Sequence, residues 1–237
     1  MKALAFPEGF LWGCAVSAHQ VEGENTGNQW WRWEEQGRIL DGSTSGRACD
    51  HYNRYEEDFE IARRLNLNAF RTSIEWSRIE RKEGKWNRRE LEHYRKMILA
   101  MREKGLTPMI TLHHFTDPIW FAERGGWEKP ESVDLFERFA RRVVEELGDL
   151  IPFYNTINEP MVYAIMGYLF GIFPPGERDL AKAVNVARNL LMAHARAYRA
   201  IHEVCEERGF PITMEPFVVN LADPDATRYL KATLVLE

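Results

Sequence analysis

The chain has 237 residues, 45% of them hydrophobic, which is enough for a sizeable core and, by length, for one or two domains. Charged residues make up 28% and leave a net charge of -5, which excludes a broad electrostatic attraction to nucleic acid or to an anionic membrane. The cysteines, Cys14, Cys49 and Cys205, are odd in number, widely spaced and without a CxxC pair, so they argue against a disulfide framework or a zinc knuckle and fit reduced thiols in a cytoplasmic protein.

The first residues, Met1 to Phe6, are followed at once by Pro7, too short an opening for a signal peptide, and no apolar run approaches the ~20 residues of a membrane span. Residues 11–16 read as a strand, followed by a long polar loop that holds Trp30, Trp31 and Trp33, a stretch suited to a flat apolar wall beside a sugar ring. Residues 51–66 form a helix with Tyr55, Phe59, Ala62 and Leu65 on one face. A β-prone run at 69–75 follows. Residues 88–104 are helical, with Leu91, Tyr94, Ile98 and Met101 at 3- and 4-residue spacing, a capping Asn87 with Glu90 three residues on, and Gly105 as the stop.

Pro108 opens a strand that ends in His113 and His114. A second amphipathic helix spans 131–147, with Gly148 as its stop, and the strand at 153–158 is cut by Pro160. A long helix fills 179–208, ended by Gly209, and a last strand occupies 212–219. Alternating strands and helices imply parallel strands joined by right-handed crossovers, in an open sheet or a (β/α)8 barrel. The first strand carries no GxGxxG or GxxxxGK[ST] run, which removes support for a nucleotide-binding sheet. Polar residues gather where strands end (Ser73 and Glu75, His113 and His114, Asn158 and Glu159), which is the barrel pattern. The strands start about 50 residues apart, so eight units need roughly 400 residues. The chain therefore reads as one domain, 1–237, an α/β partial (β/α)8 barrel holding about the first five β/α units.

Asn158-Glu159-Pro160 is the first chemical candidate. A glutamate delivered to a strand rim is expected to be partly desolvated, which raises a carboxyl toward the range of a general acid. The preceding amide can serve a sugar hydroxyl. Taken alone, the tripeptide is also compatible with an ordinary loop glutamate before a turn proline.

The motif has company, in order along the chain. Phe10-Leu11-Trp12-Gly13 through Gln20-Val21-Glu22-Gly23, Cys49 to Tyr52, Phe70-Arg71 with Ser73 to Ile79, Leu112 to Phe115 with Pro118, Thr156 to Pro160, Phe173 to Gly176, and Asn189-Leu190-Leu191 with Ala193-His194-Ala195 together resemble glycoside hydrolase family one, the retaining β-glucosidases, β-galactosidases and relatives. The resemblance implies a TIM barrel acting on β-linked sugars without a cofactor. It implies that Glu159 is the general acid/base, that Asn158 bonds the sugar 2-hydroxyl, that Gln20 and His114 hold hydroxyls of the same sugar, and that Arg71 lies near the nucleophile. His113 is expected on the opposite strand face, in packing. Two departures stand out: Phe115 replaces the usual Trp, and Thr116-Asp117 alters the run before Pro118.

Retaining glycosidases need a second carboxylate, about 5–5.5 Å from the first. The resemblance places it in a Thr-Glu-Asn-Gly run on the seventh strand, and no such run occurs in the 237 residues. Glu24-Asn25-Thr26-Gly27 is a superficial likeness in the first loop. Glu215, beside the strand of Glu159, and Glu75 are the substitutes within the chain. The expected function is thus a β-glycosidase part-barrel with little or no activity by itself, paired with itself as a homo-oligomer or with a complementary barrel fragment. The alternatives are a non-catalytic sugar-binding or self-assembling half-barrel module and, less well supported, a metal-dependent barrel using Asp50, His51, His113, His114 and Asp117. Adjacent strand histidines face opposite ways and make a poor ligand set.

Overall fold

The computed structural model describes residues 6–212 in full and residues 217–220 and 229–232 as backbone strands. In chain order the elements are β1 (Gly13–Ala15), α1 (Ala18–Val21), α2 (Gln29–Glu35), α3 (His51–Arg64), β2 (Ala69–Ser73), α4 (Trp76–Ile79), α5 (Arg88–Glu103), β3 (Thr107–His113), α6 (Ile119–Glu123), α7 (Glu131–Leu147), β4 (Phe153–Ile157), α8 (Pro160–Ala164), α9 (Leu180–Arg208), β5 (Phe217–Asn220) and β6 (Tyr229–Ala232).

The first four strands form one parallel sheet in the order β1-β2-β3-β4, with Arg71 opposite Met109 and Thr111 opposite Asn155. Each crossover carries a helix whose apolar stripe covers one face of the sheet. Phe70, Ile110 and Leu112 from the strands join Phe59, Tyr94, Ile98, Met101, Phe136, Phe139, Val143, Leu190 and Ala197 from the helices in one buried core. Period-two alternation sends Arg71 and Thr111 to the other face. In a barrel that face would be the inner wall.

Local chemistry explains the helix ends. The Asn87 side chain accepts from the backbone N–H groups of Arg89 and Glu90, capping α5 as its sequence suggests. Gly209 ends α9 in the left-handed conformation at φ 65°. Gly148 acts differently: it keeps a right-handed helical backbone, and a Cβ there would sit 2.7 Å from the Phe210 ring. Its value is close packing rather than a left-handed stop.

Two expectations are corrected. The tryptophan-rich stretch is not a loop: α2 forms because the Asn28 side chain accepts from the Trp31 N–H and because Gln29 and Trp33 face inward. The last strand does not extend the parallel sheet: Phe217–Asn220 pairs antiparallel with Tyr229–Ala232 as a separate two-stranded sheet. Pairing with a near neighbour closes only a short loop, at a small entropic cost. The parallel sheet among the described residues therefore has four strands.

Candidate active site on the strand ends

The candidate residues come from successive elements that end at one edge of the sheet. Gln20 lies on α1, the single turn after β1, and is exposed. Ser17 donates to its side-chain oxygen at 2.8 Å, which leaves its amide N–H groups free to meet a ligand. Arg71 projects from the inner face of β2. Its Nε donates to Thr111 Oγ1 at 3.0 Å and its guanidinium to Asn158 Oδ1 at 2.6 Å. An arginine only donates, so the Asn158 carbonyl must face it, and the Asn158 NH2 is the group that remains for a hydroxyl. Asn158 is 8% exposed, and its backbone N–H continues the ladder to the His113 carbonyl.

Burial pushes the Arg71 pKa down, while the negative charge of Glu159 opposes that shift. Arg71 and Glu159 therefore share one electrostatic environment. Glu159 itself caps α8 with a left-handed backbone, φ 46° and ψ 60°, just before Pro160 at the first helical position. Such a conformation in a non-glycine residue costs energy and clusters at functional sites. The expected partial desolvation is corrected: Glu159 is exposed, because β4 is the last strand of the parallel sheet and nothing among the described residues rises beside it.

His113 and His114 separate as their strand position predicts. His113 is buried among Trp127, Phe136 and Tyr163, with Nε2 3.0 Å from Asp117 Oδ1. His114 turns the other way. Burial, then the charges of Arg71 and His113, hold its pKa down at about 4, so the ring is neutral at pH 7. Its Nδ1 is buried without a hydrogen-bond partner among the described residues. A neutral imidazole that both donates and accepts suits a hydroxyl ligand.

Several contributors escaped the sequence reading. Phe115 follows His114 with φ 68°, and its carbonyl accepts from Gln29 Nε2 and Trp30 Nε1. That places its ring against His114 and Phe173, and Phe173 also meets Trp30. An aromatic wall therefore stands beside His114, but Trp30 supplies it and Trp33 turns inward. Asp117, which altered the family pattern, is a buried hub that accepts from Gln29, Trp127 and Tyr163. The tryptophan stretch and the departures at Phe115 and Asp117 marked these positions in the sequence, but not their partners.

The other carboxylates resolve in different ways. Glu75 is 1% exposed, accepts from Ser77 and Thr116, and points into the protein rather than to the rim. Glu215 lies outside the described residues. The residues considered for a metal are dispersed: His51 pairs with Asp58, Asp50 with Arg47, and no group of three or more His, Cys, Asp or Glu among the described residues is arranged to hold an ion. Among the described residues no helix is long and apolar enough to cross a membrane. A cleft of about 340 Å³ does open in the molecule, between α2 and the residues around Tyr163 and Pro174, but none of Gln20, Arg71, His114, Asn158 or Glu159 lines it. The candidate residues occupy an open shelf because half a barrel wall encloses nothing.

A family profile described as Glycosyl hydrolase family 1 matches residues 2–233. The chain belongs to glycosyl hydrolase family 1. Beta-glucosidase A of Thermotoga maritima is 39% identical over 242 residues, which is 97% of this chain and 54% of that protein. Among solved structures, a beta-glycosidase from Pyrococcus horikoshii superposes with a TM-score of 0.80 at 42% identity, covering 88% of this chain and 48% of that one. The Thermotoga maritima beta-glucosidase in complex with cyclophellitol gives 0.83 at 39% identity, covering 85% and 48%. The chain thus spans about half the length of the glycosyl hydrolase family 1 relatives it matches, and the fold is the corresponding part of an α/β barrel.

Proposed function

We propose that this chain is the acid/base-bearing part of a retaining β-glycosidase. In this reading Glu159 protonates the glycosidic oxygen as the leaving group departs, while a second carboxylate attacks the anomeric carbon and forms a glycosyl ester. Glu159, now ionised, then takes a proton from the water that cleaves the ester. Asn158, Gln20 and neutral His114 hold hydroxyls of the sugar in the cleaved position. Arg71 lies where its positive charge keeps the attacking carboxylate ionised.

The observation that carries the reading is the Arg71–Asn158 bond beside Glu159. It leaves one amide donor and one carboxylate side by side on the rim of β4. Glu75, the substitute carboxylate among the described residues, is turned inward. The nucleophile is therefore expected from a complementary barrel segment outside these 237 residues. The exposed apolar side chains Leu180, Val184 and Leu191 along α9 support such a partner. The reading keeps a cytoplasmic location, supported by three free cysteines, and a β-linked sugar as the substrate.

The test is hydrolysis of an aryl β-glucoside by the purified chain, with and without a separately made fragment carrying a Thr-Glu-Asn-Gly run. Turnover that appears only in the mixture, and is lost with Glu159→Gln, supports the reading. Robust turnover by the chain without the fragment contradicts it. The non-catalytic alternative rests on the same three hydroxyl ligands without a nucleophile. Calorimetry with gluconolactone separates the two, because binding in a mixture that never hydrolyses favours a sugar-binding module.

A further inference from the structure

Gln20 presents its amide from a one-turn helix, and His114 lies just past the end of β3. Neither position is rigid by its own secondary structure, so their relative placement needs another source. Directly behind both lies a set of buried polar side chains with no role in the chemistry above.

Glu22 follows α1 and is 2% exposed. Its Oε1 accepts from the Tyr94 hydroxyl at 2.9 Å, and its Oε2 accepts from Arg78 Nε at 2.8 Å and Asn25 Nδ2 at 3.3 Å. Arg78 also donates to the Gly23 carbonyl and lies over the Tyr52 ring. Ala18, at the other end of the same turn, donates its N–H to Ser73 Oγ at the end of β2. The turn that carries Gln20 is thereby fixed at both ends to elements distant in sequence.

The network continues. The Tyr94 hydroxyl that donates to Glu22 accepts the Glu75 N–H at 3.1 Å. The Glu75 side chain accepts from Ser77 Oγ at 2.6 Å and from Thr116 Oγ1 at 3.0 Å. Thr116 is two residues past His114, and the intervening Phe115 carbonyl is held by α2. One chain of buried hydrogen bonds therefore runs from the turn of Gln20 to the strand end of His114. Charge-assisted hydrogen bonds of this kind are the strong ones, and inside a protein they fix geometry tightly.

We propose that Glu22 and Glu75 are positioning residues, a buried brace that sets the distance between Gln20 and His114 for one sugar. The inference rests on the sugar-binding role given to those two residues above. The charged and titratable groups facing Glu22 are Arg78 and Glu75 beside it, Tyr94 from α5 and Tyr52 from α3. Burial, opposed by Arg78 and increased by Glu75, raises the Glu22 carboxyl to about 7. The brace is therefore sensitive to pH in the neutral range. Thr116, one of the two departures from the family pattern, gives this chain its bond between Glu75 and the third strand.

The test uses Glu22→Gln and Thr116→Val, one at each end of the brace, in the full chain. Gluconolactone affinity is read by calorimetry, and the Gln20 side-chain amide is read by NMR, assigned through Gln20→Ala. Each variant is expected to weaken binding about tenfold, the scale of one lost buried charged hydrogen bond. Glu22→Gln is expected to add nothing once Gln20 is already Ala. Its Gln20 amide signals should broaden or shift, and should lose the pH dependence near neutrality seen in the parent. Unchanged affinity in a folded variant, or fully additive losses with Gln20→Ala, overturns the brace. If a variant does not fold, Tyr94→Phe interrupts the same path with one oxygen removed, and the same two outcomes decide. If the parent binds no gluconolactone, the sugar-binding reading fails by itself. The Gln20 amide then still decides the brace: signals unaffected by Glu22→Gln overturn it.

Discussion

Two carboxylates on neighbouring parts of the same half-barrel make the sharpest contrast in the molecule. Glu159 stands exposed on the rim of β4 on a left-handed backbone, whereas Glu22, just after α1, is buried with Tyr94, Arg78 and Asn25 around it. The fold fixes Glu22 and leaves Glu159 available. Glu159 makes few contacts, whereas the Glu22 carboxylate accepts from three side chains.

Glu159→Gln has the largest expected effect. In a reconstituted enzyme it should lower hydrolysis by about 10²–10⁴-fold, the usual worth of a general acid/base. The melting temperature of the chain should hardly move, since exposed substitutions away from special contacts change stability by less than ~0.5 kcal/mol. A large fall in stability would place Glu159 in the scaffold instead.

Glu22 should behave in the opposite way, with its effect read from stability against pH. Its folded pKa, about 7, lies above its unfolded value near 4.5. Between these values the unfolded chain has released the proton and the folded chain still holds it, so the unfolded state is favoured as pH rises. The stabilising difference is complete below about pH 4.5, declines through the window and is gone above about pH 7. It amounts to at most about 3 kcal/mol. Urea unfolding of the parent and of Glu22→Gln over that range isolates it as the difference between the two curves. A parent that gains stability relative to Glu22→Gln as pH rises would contradict the assignment.

Tyr94→Phe removes the hydroxyl that joins Glu22 to the Glu75 backbone and leaves buried groups unpaired, which should cost about 1–3 kcal/mol in urea unfolding. The smallest effect expected is Asn87→Ala, about 1 kcal/mol from the lost cap of α5, with no change in sugar affinity. Loss of affinity there would mean that the covered helical face and the open inner face are more tightly coupled than the contrast allows.

Much of this architecture was legible before any coordinates. The 3- and 4-residue spacing in α5 and α7 and the left-handed Gly209 follow from local rules, and so do the opposed faces of His113 and His114. The acid/base candidate was legible through the resemblance of Thr156 to Pro160 to a family motif, since the tripeptide alone also fits an ordinary turn. Other features were not, for physical reasons. Helix α2 is short, and three tryptophans among polar residues give no clean period, so capping by Asn28 decides its state. The pairing of Phe217–Asn220 with Tyr229–Ala232 is a choice of partner, and strand propensity carries no partner information. The brace joins Glu22 to residues 56 and 72 positions away. Hydrogen bonds at such separations leave no periodicity in the sequence, and Glu22 looked like any other member of a motif.

If this chain supplies the acid/base, another segment carries the nucleophile. An activated 2-deoxy-2-fluoro-glucoside traps the glycosyl ester, and the intact mass of each polypeptide then tells which one carries it. A sugar adduct is expected on the added fragment and none on this chain, with the adduct dependent on both being present. An adduct on this chain, at Glu215 or at any other carboxylate, would contradict it.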